Sequence, residues 1–499
     1  MRELYEVLRT ATGHVVNLLN EGTPTYRLPP EILTRILYLT VDHGSEEHPK
    51  QVIPLTHVCR YWRTLLLSYP RMWSTLCMKP GKPSIISEWL ARSQNLPLTV
   101  IAEFTDTYEH PPCRYDDSAT ATLVDIYGLG VCPRHEAVLS LNQLLPHRSR
   151  IRDLNILFHS SDPSLGARDD DDDEEPKLLY HHFFMETLPN LQRLDFRAAP
   201  VEENIWAIHI PDLLFAGQLP RLKELKYLGV FGGLMETAKD LTSCEIGLWS
   251  GSGPTIISPE ELQILFNNNN TVQSLAINGC EFFNHDRQVT TATPLTDLKF
   301  LRIHCLHDRD LQTILNCIHA PQFKNLDTVQ LSPSPYAGLQ VVATDRSGHT
   351  FECYQSIGGF PTFYSLRHLG IDTTTLRLCR WASLGGLDGL LALYDFFRTL
   401  DAVRVLEFDG AVATVQNVLS NLLPVTGVFP GLKVIRVAIR GDDCKRSFPL
   451  LATALRLRLE EGNPLTAIEP IFVEGEDRLG RVEWENHYEA EGIRNFLSK

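Results

Sequence analysis

The chain has 499 residues, 43% of them apolar and 21% charged, with a formal net charge of −15. That length suits roughly three ordinary domains, or one elongated repeat array with a small appendage, and such an apolar share belongs to a chain that buries a large core. The acidic balance argues against nucleic acid or anionic lipid as partners, since both recruit a basic surface. Eleven cysteines stand singly, with no C-x-x-C pair and a closest spacing of twelve residues between Cys305 and Cys317. This is the usage of buried thiols in a reducing compartment, not of a disulfide framework or a zinc cage.

The first segment, residues 1–25, interrupts its apolar positions with Glu3, Glu6 and Asn17 and so offers neither a signal peptide nor a membrane span. A cytoplasmic or nuclear address is expected. Leu4, Val7, Leu8, Ala11, Val15, Leu18 and Leu19 recur at three-to-four spacing, which predicts an amphipathic helix expected to pack on its own chain.

In YRLPPEILTRILYLT, Pro29 and Pro30 suit a helix start, where their missing N–H groups are not needed, and Glu31 suits its positive end. Leu28, Ile32, Ile36 and Leu39 form one face of that helix, widened by Leu33 and Leu37. The polar stretch VDHGSEEHPKQ reads as a loop. IPLTHVCRYWRTLLLSYP then predicts another helix ended by Pro70, with Val58, Trp62, Leu65, Leu66 and Tyr69 on one stripe. Two or three short helices are too small to bury so many apolar side chains alone, so something must cover them.

The order LPPEIL, ILYL, a spacer, LTHVCRYWRTLL and PRMW, over residues 26–76, resembles an F-box of the large fungal type. That family docks on the Skp adaptor of Skp–cullin–F-box ubiquitin ligases. The resemblance implies that Leu28, Pro29, Ile32 and Ile36 face the adaptor and that Val58, Cys59, Trp62 and Leu66 complete the hydrophobic contact. The alternative is a helical hairpin packed wholly on the chain's own remainder.

Beyond it, a six-residue frame of apolar-x-x-apolar-x-apolar recurs as IRDLNI at 151, LQRLDF at 191, LKELKY at 222, VQSLAI at 272, LKFLRI at 298, LDTVQL at 326, LRHLGI at 366, VRVLEF at 403 and LKVIRV at 432. Each frame predicts a strand whose alternate residues enter a core. Helical signals lie between them. In SPEELQILF, Ser258 is an N-cap candidate, with Pro259 at the first helical position and Glu261 at the capping-box position. DRDLQTILNCIHA places Leu311, Ile314, Leu315 and Ile318 on one face. This alternation resembles an irregular leucine-rich repeat over residues 77–475. The implied class is α/β: a helical F-box, then a solenoid with parallel strands on its concave face and helices on its convex face, closed by a cap or tail at 476–499.

Other stretches offer less. The acidic run in 166–176 reads as a solvated loop, and HCLHD at 304–308 lacks a second ligand cluster at metal spacing. WSGSGP at 249 is not a nucleophile elbow, NNNN at 267–270 reads as a turn, and no nucleotide or zinc-protease motif is present. The expectation is a receptor subunit without bond chemistry, metal or cofactor; a repeat scaffold working outside a ligase stays open, the first helices serving as its cap. Residues between the buried strand positions, together with the adjoining loops, are the candidates for gripping a target protein. They include Arg193, Asp195, Arg197, Lys223, Lys226, Lys299, Arg302, His304, Arg367, His368, Arg404, Glu407, Lys433 and Arg436. Their basic share predicts a locally positive face that prefers an acidic or phosphorylated segment.

Overall fold

The computed structural model describes residues 2–78, 83–106, 141–160, 181–198, 214–228, 234–247, 255–282, 292–305, 308–333, 338–356, 373–379, 397–398, 400–409, 428–437, 444–460, 462, 465–470, 486, 488 and 497. The expected acidic loop at 166–176, the frame at 366, WSGSGP and nearly all of the expected 476–499 tail fall outside them. The chain divides into one unit of residues 1–239 with 249–253 and a second of 240–248 with 254–499.

The first unit opens with α1 (Arg2–Glu21), α2 (Pro30–Leu39), α3 (His48–Leu55) and α4 (Arg60–Leu67). Pro30 occupies the first turn of α2, and the Leu33 N–H reaches the Pro29 carbonyl at 3.0 Å. The single helix expected through IPLTHVCRYW is instead two. The Thr56 backbone and hydroxyl both close onto the end of α3. Cys59 then turns extended, its Sγ accepting from the Trp62 N–H at 3.5 Å as the cap of α4. A helix also starts inside the expected loop, because Pro49 fits a first turn.

The chain then makes a 3-10 turn at Pro70–Trp73, β1 (Thr75–Met78), α5 (Pro83–Arg92), β2 (Leu98–Asp106), β3 (Ile151–Ser160), α6 (His181–Met185), β4 (Arg193–Ala198), β5 (Glu224–Leu228) and α7 (Leu234–Thr237). Strands β1 to β5 pair in sequence order, all parallel. The boundary expected at 76/77 therefore cuts through β1. Trp73, buried, donates its Nε1–H to the Leu66 carbonyl at 2.7 Å and meets Trp89 of α5 edge-on at 4.9 Å. The helical segment and the sheet share this core.

The second unit contains β6 (Ser243–Gly247), β7 (Thr255–Ile257), α8 (Pro259–Asn268), β8 (Ser274–Phe282), β9 (Thr293–Pro294), β10 (Phe300–Cys305), α9 (Asp308–Cys317), β11 (Ile318–His319), β12 (Thr328–Pro333), β13 (Gly338–Thr344), β14 (Thr350–Ser356), β15 (Thr375–Cys379), β16 (Val405–Asp409), β17 (Val434–Val437), α10 (Cys444–Glu460) and β18 (Ala467–Pro470). Its main sheet runs β6-β8-β10-β14-β13-β12-β15-β16-β17-β18. It is parallel except at β13, which is antiparallel to β12 and β14. That insertion was not expected. The connection after Thr344 is too short for a parallel crossover, and Gly348, at φ +87°, turns the chain while the Asp345 carboxylate accepts from the His349 N–H at 2.8 Å. Ser258 and Glu261 form the expected capping box of α8. Leu262, Leu265 and Phe266 of α8 and Leu311 and Ile314 of α9 are buried, and α9 packs on β8 and β10.

Candidate protein-docking surface

The faces of α2 go to different fates. Leu33, Thr34 and Leu37 are buried in the first unit, each large apolar side chain contributing about 1.5–3 kcal/mol. Ile32, Ile36 and Leu39 lie at 48%, 43% and 72% exposure, on a stripe spaced four and three residues apart. Pro29 is exposed, Leu28 half-buried, and Ile53 and Val58 add exposed apolar side chains after the loop. Such uncovered apolar surface in a small segment marks an interaction site.

The remaining residues implied by the resemblance divide. Cys59 and Trp62 are half-buried at the start of α4. Leu66 is fully buried, beneath Trp73, so it belongs to the segment's own core and cannot reach an outside partner. Val58 precedes α4 rather than riding on it, so the stripe expected from Val58 to Tyr69 is broken at the Cys59 cap.

Within the segment two histidines are hydrogen-bonded in series. The Tyr38 carbonyl takes a hydrogen bond from His43 Nε2 at 2.7 Å, which leaves His43 Nδ1 to accept from His48 Nε2 at 3.2 Å. His48 Nδ1, buried, then has no hydrogen-bond partner among the described residues. Burial, with His43 beside it, pushes the His48 pKa down to about 4, against the opposing pull of Asp42.

The second candidate surface is the outward face of the sheets. In the first unit Arg193 lies between Asp153, at 3.6 Å, and Glu224, at 3.2 Å, its register partners on β3 and β5. Arg197 pairs with Asp195 on its own strand. In the second unit Arg302 meets Glu352 at 2.7 Å. Arg377, Glu407, Arg436 and Glu469 form one row across β15 to β18, with successive contacts of 2.8, 2.8 and 2.7 Å. Burial would raise the Glu407 carboxyl, but the guanidiniums of Arg436 and Arg377 hold it below the usual carboxylate range.

The expected positive face is thus corrected at Arg193, Arg302 and Arg436, where cross-strand carboxylates meet the guanidiniums, and at Arg197, which meets Asp195 of its own strand. Lys223, Lys299, Arg404 and Lys433 are exposed one residue before their strands, and Lys226 is half-buried on β5. His304 is half-buried beside the Tyr354 ring, centroids 6.1 Å apart; Arg367 and His368 lie outside the described residues. Cys244, Cys280 and Cys317 are buried, which pushes their thiols up to about 12 and makes them poor nucleophiles.

Among the described residues no group of three or more His, Cys, Asp or Glu side chains could hold a metal ion, and no helix is long and apolar enough to cross a membrane. No curated protein matches the chain. A family model described as F-box-like matches residues 25–79, and these are the residues that carry the exposed stripe of α2, the split helices α3 and α4, and β1. F-box domains typically bind the Skp adaptor and so link to a cullin; the N-terminal helices fit an F-box, and the rest is a mixed α/β region with a large parallel sheet.

Proposed function

We propose that the chain is the substrate-recognition subunit of a Skp–cullin–F-box ubiquitin ligase. The observation that carries this reading is that the F-box-like segment leaves one apolar side of α2 uncovered while burying the other. Leu28, Pro29, Ile32, Ile36, Val58, Cys59 and Trp62 are the residues assigned to the adaptor. The sheets form an irregular leucine-rich-repeat solenoid that holds a target protein. Supporting this, eight of the nine sequence frames fall on strands, and those strands lie in parallel runs. Catalysis is then proximity alone: a target held near a charged conjugating enzyme offers its lysines at high effective concentration.

The ladder of alternating charge changes the kind of target the face selects. A row in which each guanidinium already meets a carboxylate favours a segment of matching alternation over a uniformly acidic or phosphorylated one. In the first unit Lys223 before β5 and Lys226 within it offer basic contacts, with Arg193 and Arg197 taking part through their pairs; in the second unit Lys299, Arg404 and Lys433 do so at the strand starts, with Arg302 and Arg436 taking part through their pairs.

One observation favours the second reading, a repeat scaffold capped by its first helices: Trp73 and Trp89 weld that segment to the sheet. The discriminating test is a binding titration of the full chain with a Skp adaptor. Binding that falls at least about tenfold in Ile32→Asp with Ile36→Asp, with an unchanged melting curve, supports the ligase subunit. No binding by the folded parent chain would leave the scaffold.

A further inference from the structure

Helix α1 spaces Leu4, Leu8, Ala11 and Val15 four, three and four residues apart. Such spacing is that of a coiled-coil seam, here flanked by further apolar side chains. The expectation that α1 packs on its own chain is not met. Leu4, Leu8 and Val15 are 60%, 58% and 57% exposed, and the flanking Tyr5, Val7 and Leu19 are 64%, 64% and 70% exposed. The side turned toward the chain is the opposite one. Gly13, two residues from both Ala11 and Val15 and so about 200° away from each, stands where a Cβ would be 3.6 Å from Arg60 Nη2.

We infer that α1 is a self-association element, its seam closed by α1 of a second copy of this chain. Two features choose this occupant. The first is charge. The positions beside the seam are Tyr5, Val7, Thr12, His14, Leu19 and Glu21, so a second copy brings no opposing row of like charges. Glu3, Glu6 and Arg9 lie on the remaining sides, with no basic excess to hold an anionic membrane surface. The second is area. Covering these six of the seven exposed large apolar side chains of α1 removes roughly 100 Å² apiece, so two copies together bury on the order of 1,000 Å², the lower bound for a specific interface. Ala11, small and central, lets the two helices approach closely.

This inference does not rest on the ligase reading. Its test is sedimentation equilibrium of the full chain over roughly a hundredfold range of concentration. The expected result is a mass approaching twice the 56.5 kDa of one chain, and a self-dissociation constant at least ~100-fold weaker in Leu8→Glu with Val15→Glu. Both side chains are exposed, so the variant keeps its melting curve and stays interpretable. A monomer throughout the range, or a dimer that survives the double substitution, overturns the proposal. So does a monomer whose variant loses binding to a Skp adaptor or to neutral phosphatidylcholine vesicles, which would identify that partner as the occupant. The Ile32 and Ile36 titration decides the adaptor surface separately.

Discussion

The helical segment and the outward sheet face expose contrasting surfaces. On α2, the apolar side chains of Ile32, Ile36 and Leu39 stand in water with only Arg35 beside them, while on β15 to β18 the charges are matched row by row and the apolar side chains point into the core. A surface of the first kind gains by being covered, since apolar area removed from water is favourable wherever the partner comes from. A surface of the second kind has satisfied its own electrostatics, so it gains from a partner only through complementary geometry. On the proposed function the contrast separates a standing interface from a selective one, and the following variants test each side of it.

The largest effect is expected where the helical segment meets the sheet of its own unit. Trp73 is 2% exposed, donates a buried hydrogen bond to Leu66 and packs edge-on against Trp89. Trp73→Ala should cost about 3–5 kcal/mol in a denaturant titration of the full chain. For the same reason, a chain beginning at residue 79 should not keep an intact sheet, because it lacks β1 and uncovers Trp89. A truncation that melted like the full chain would show that the helical segment is a free appendage.

Next is the ladder. Glu407 is 6% exposed between two guanidiniums, and Glu407→Gln leaves Arg377 and Arg436 facing each other across an uncharged amide. A loss of about 3 kcal/mol is expected, at the lower end for a broken buried pair because both arginines are partly solvated. The parent should also lose this contribution in acid. A carboxyl held below its unfolded value of 4.5 stabilises above that pH, and its stabilisation fades as pH falls through the folded value. The variant should show a flatter stability curve below pH 4.5; equal slopes would detach Glu407 from the acid transition.

These rows also show what could be read in the sequence. The strands were legible because LKELKY or LKVIRV writes burial directly as alternation, and α8 announced itself through Ser258, Pro259 and Glu261. The β13–β14 hairpin was missed although DRSG is a turn signal, since a search for one repeated frame passes over strands that do not repeat it. Arg302 and Glu352 are 50 residues apart and meet only through register, so the neutralised face could not be seen in a list of outward arginines. Leu66 misled for a related reason: helical spacing fixes which residues share a face, not whether that face meets the chain or the solvent.

His48 breaks the comparison in a third way, through pH within the helical segment. Its pKa of about 4 lies below the unfolded value of 6.5, so the unfolded chain takes up the proton first. Stability from this site is complete above pH 6.5 and falls between pH 6.5 and 4, by on the order of 2–3 kcal/mol. His43 and Asp42 face the ring and shift that window without reversing its sign. His48→Gln should flatten the stability curve between those values while leaving the slope below pH 4.5 to Glu407. An unaltered slope in the upper window would mean that His48 protonates without penalty.

The smallest effect on the fold should carry the clearest effect on binding. Pro29 is exposed and Leu28 half-buried at the entry to α2, where truncation removes little of the segment's own core. Pro29 does hold the first turn, since its carbonyl accepts from Leu33, but that carbonyl belongs to the backbone and survives replacement by alanine. Leu28→Ala with Pro29→Ala should therefore weaken adaptor binding at least about tenfold, roughly 1.4 kcal/mol, with little change in melting. Trp62→Ala should separate from it by lowering both, because its half-buried ring serves the segment as well as the partner. Titrating each variant with the adaptor and melting it in parallel decides the matter. Full affinity in the Leu28 and Pro29 double variant would remove the entry of α2 from the docking surface and leave Ile32, Ile36 and Leu39 to carry it.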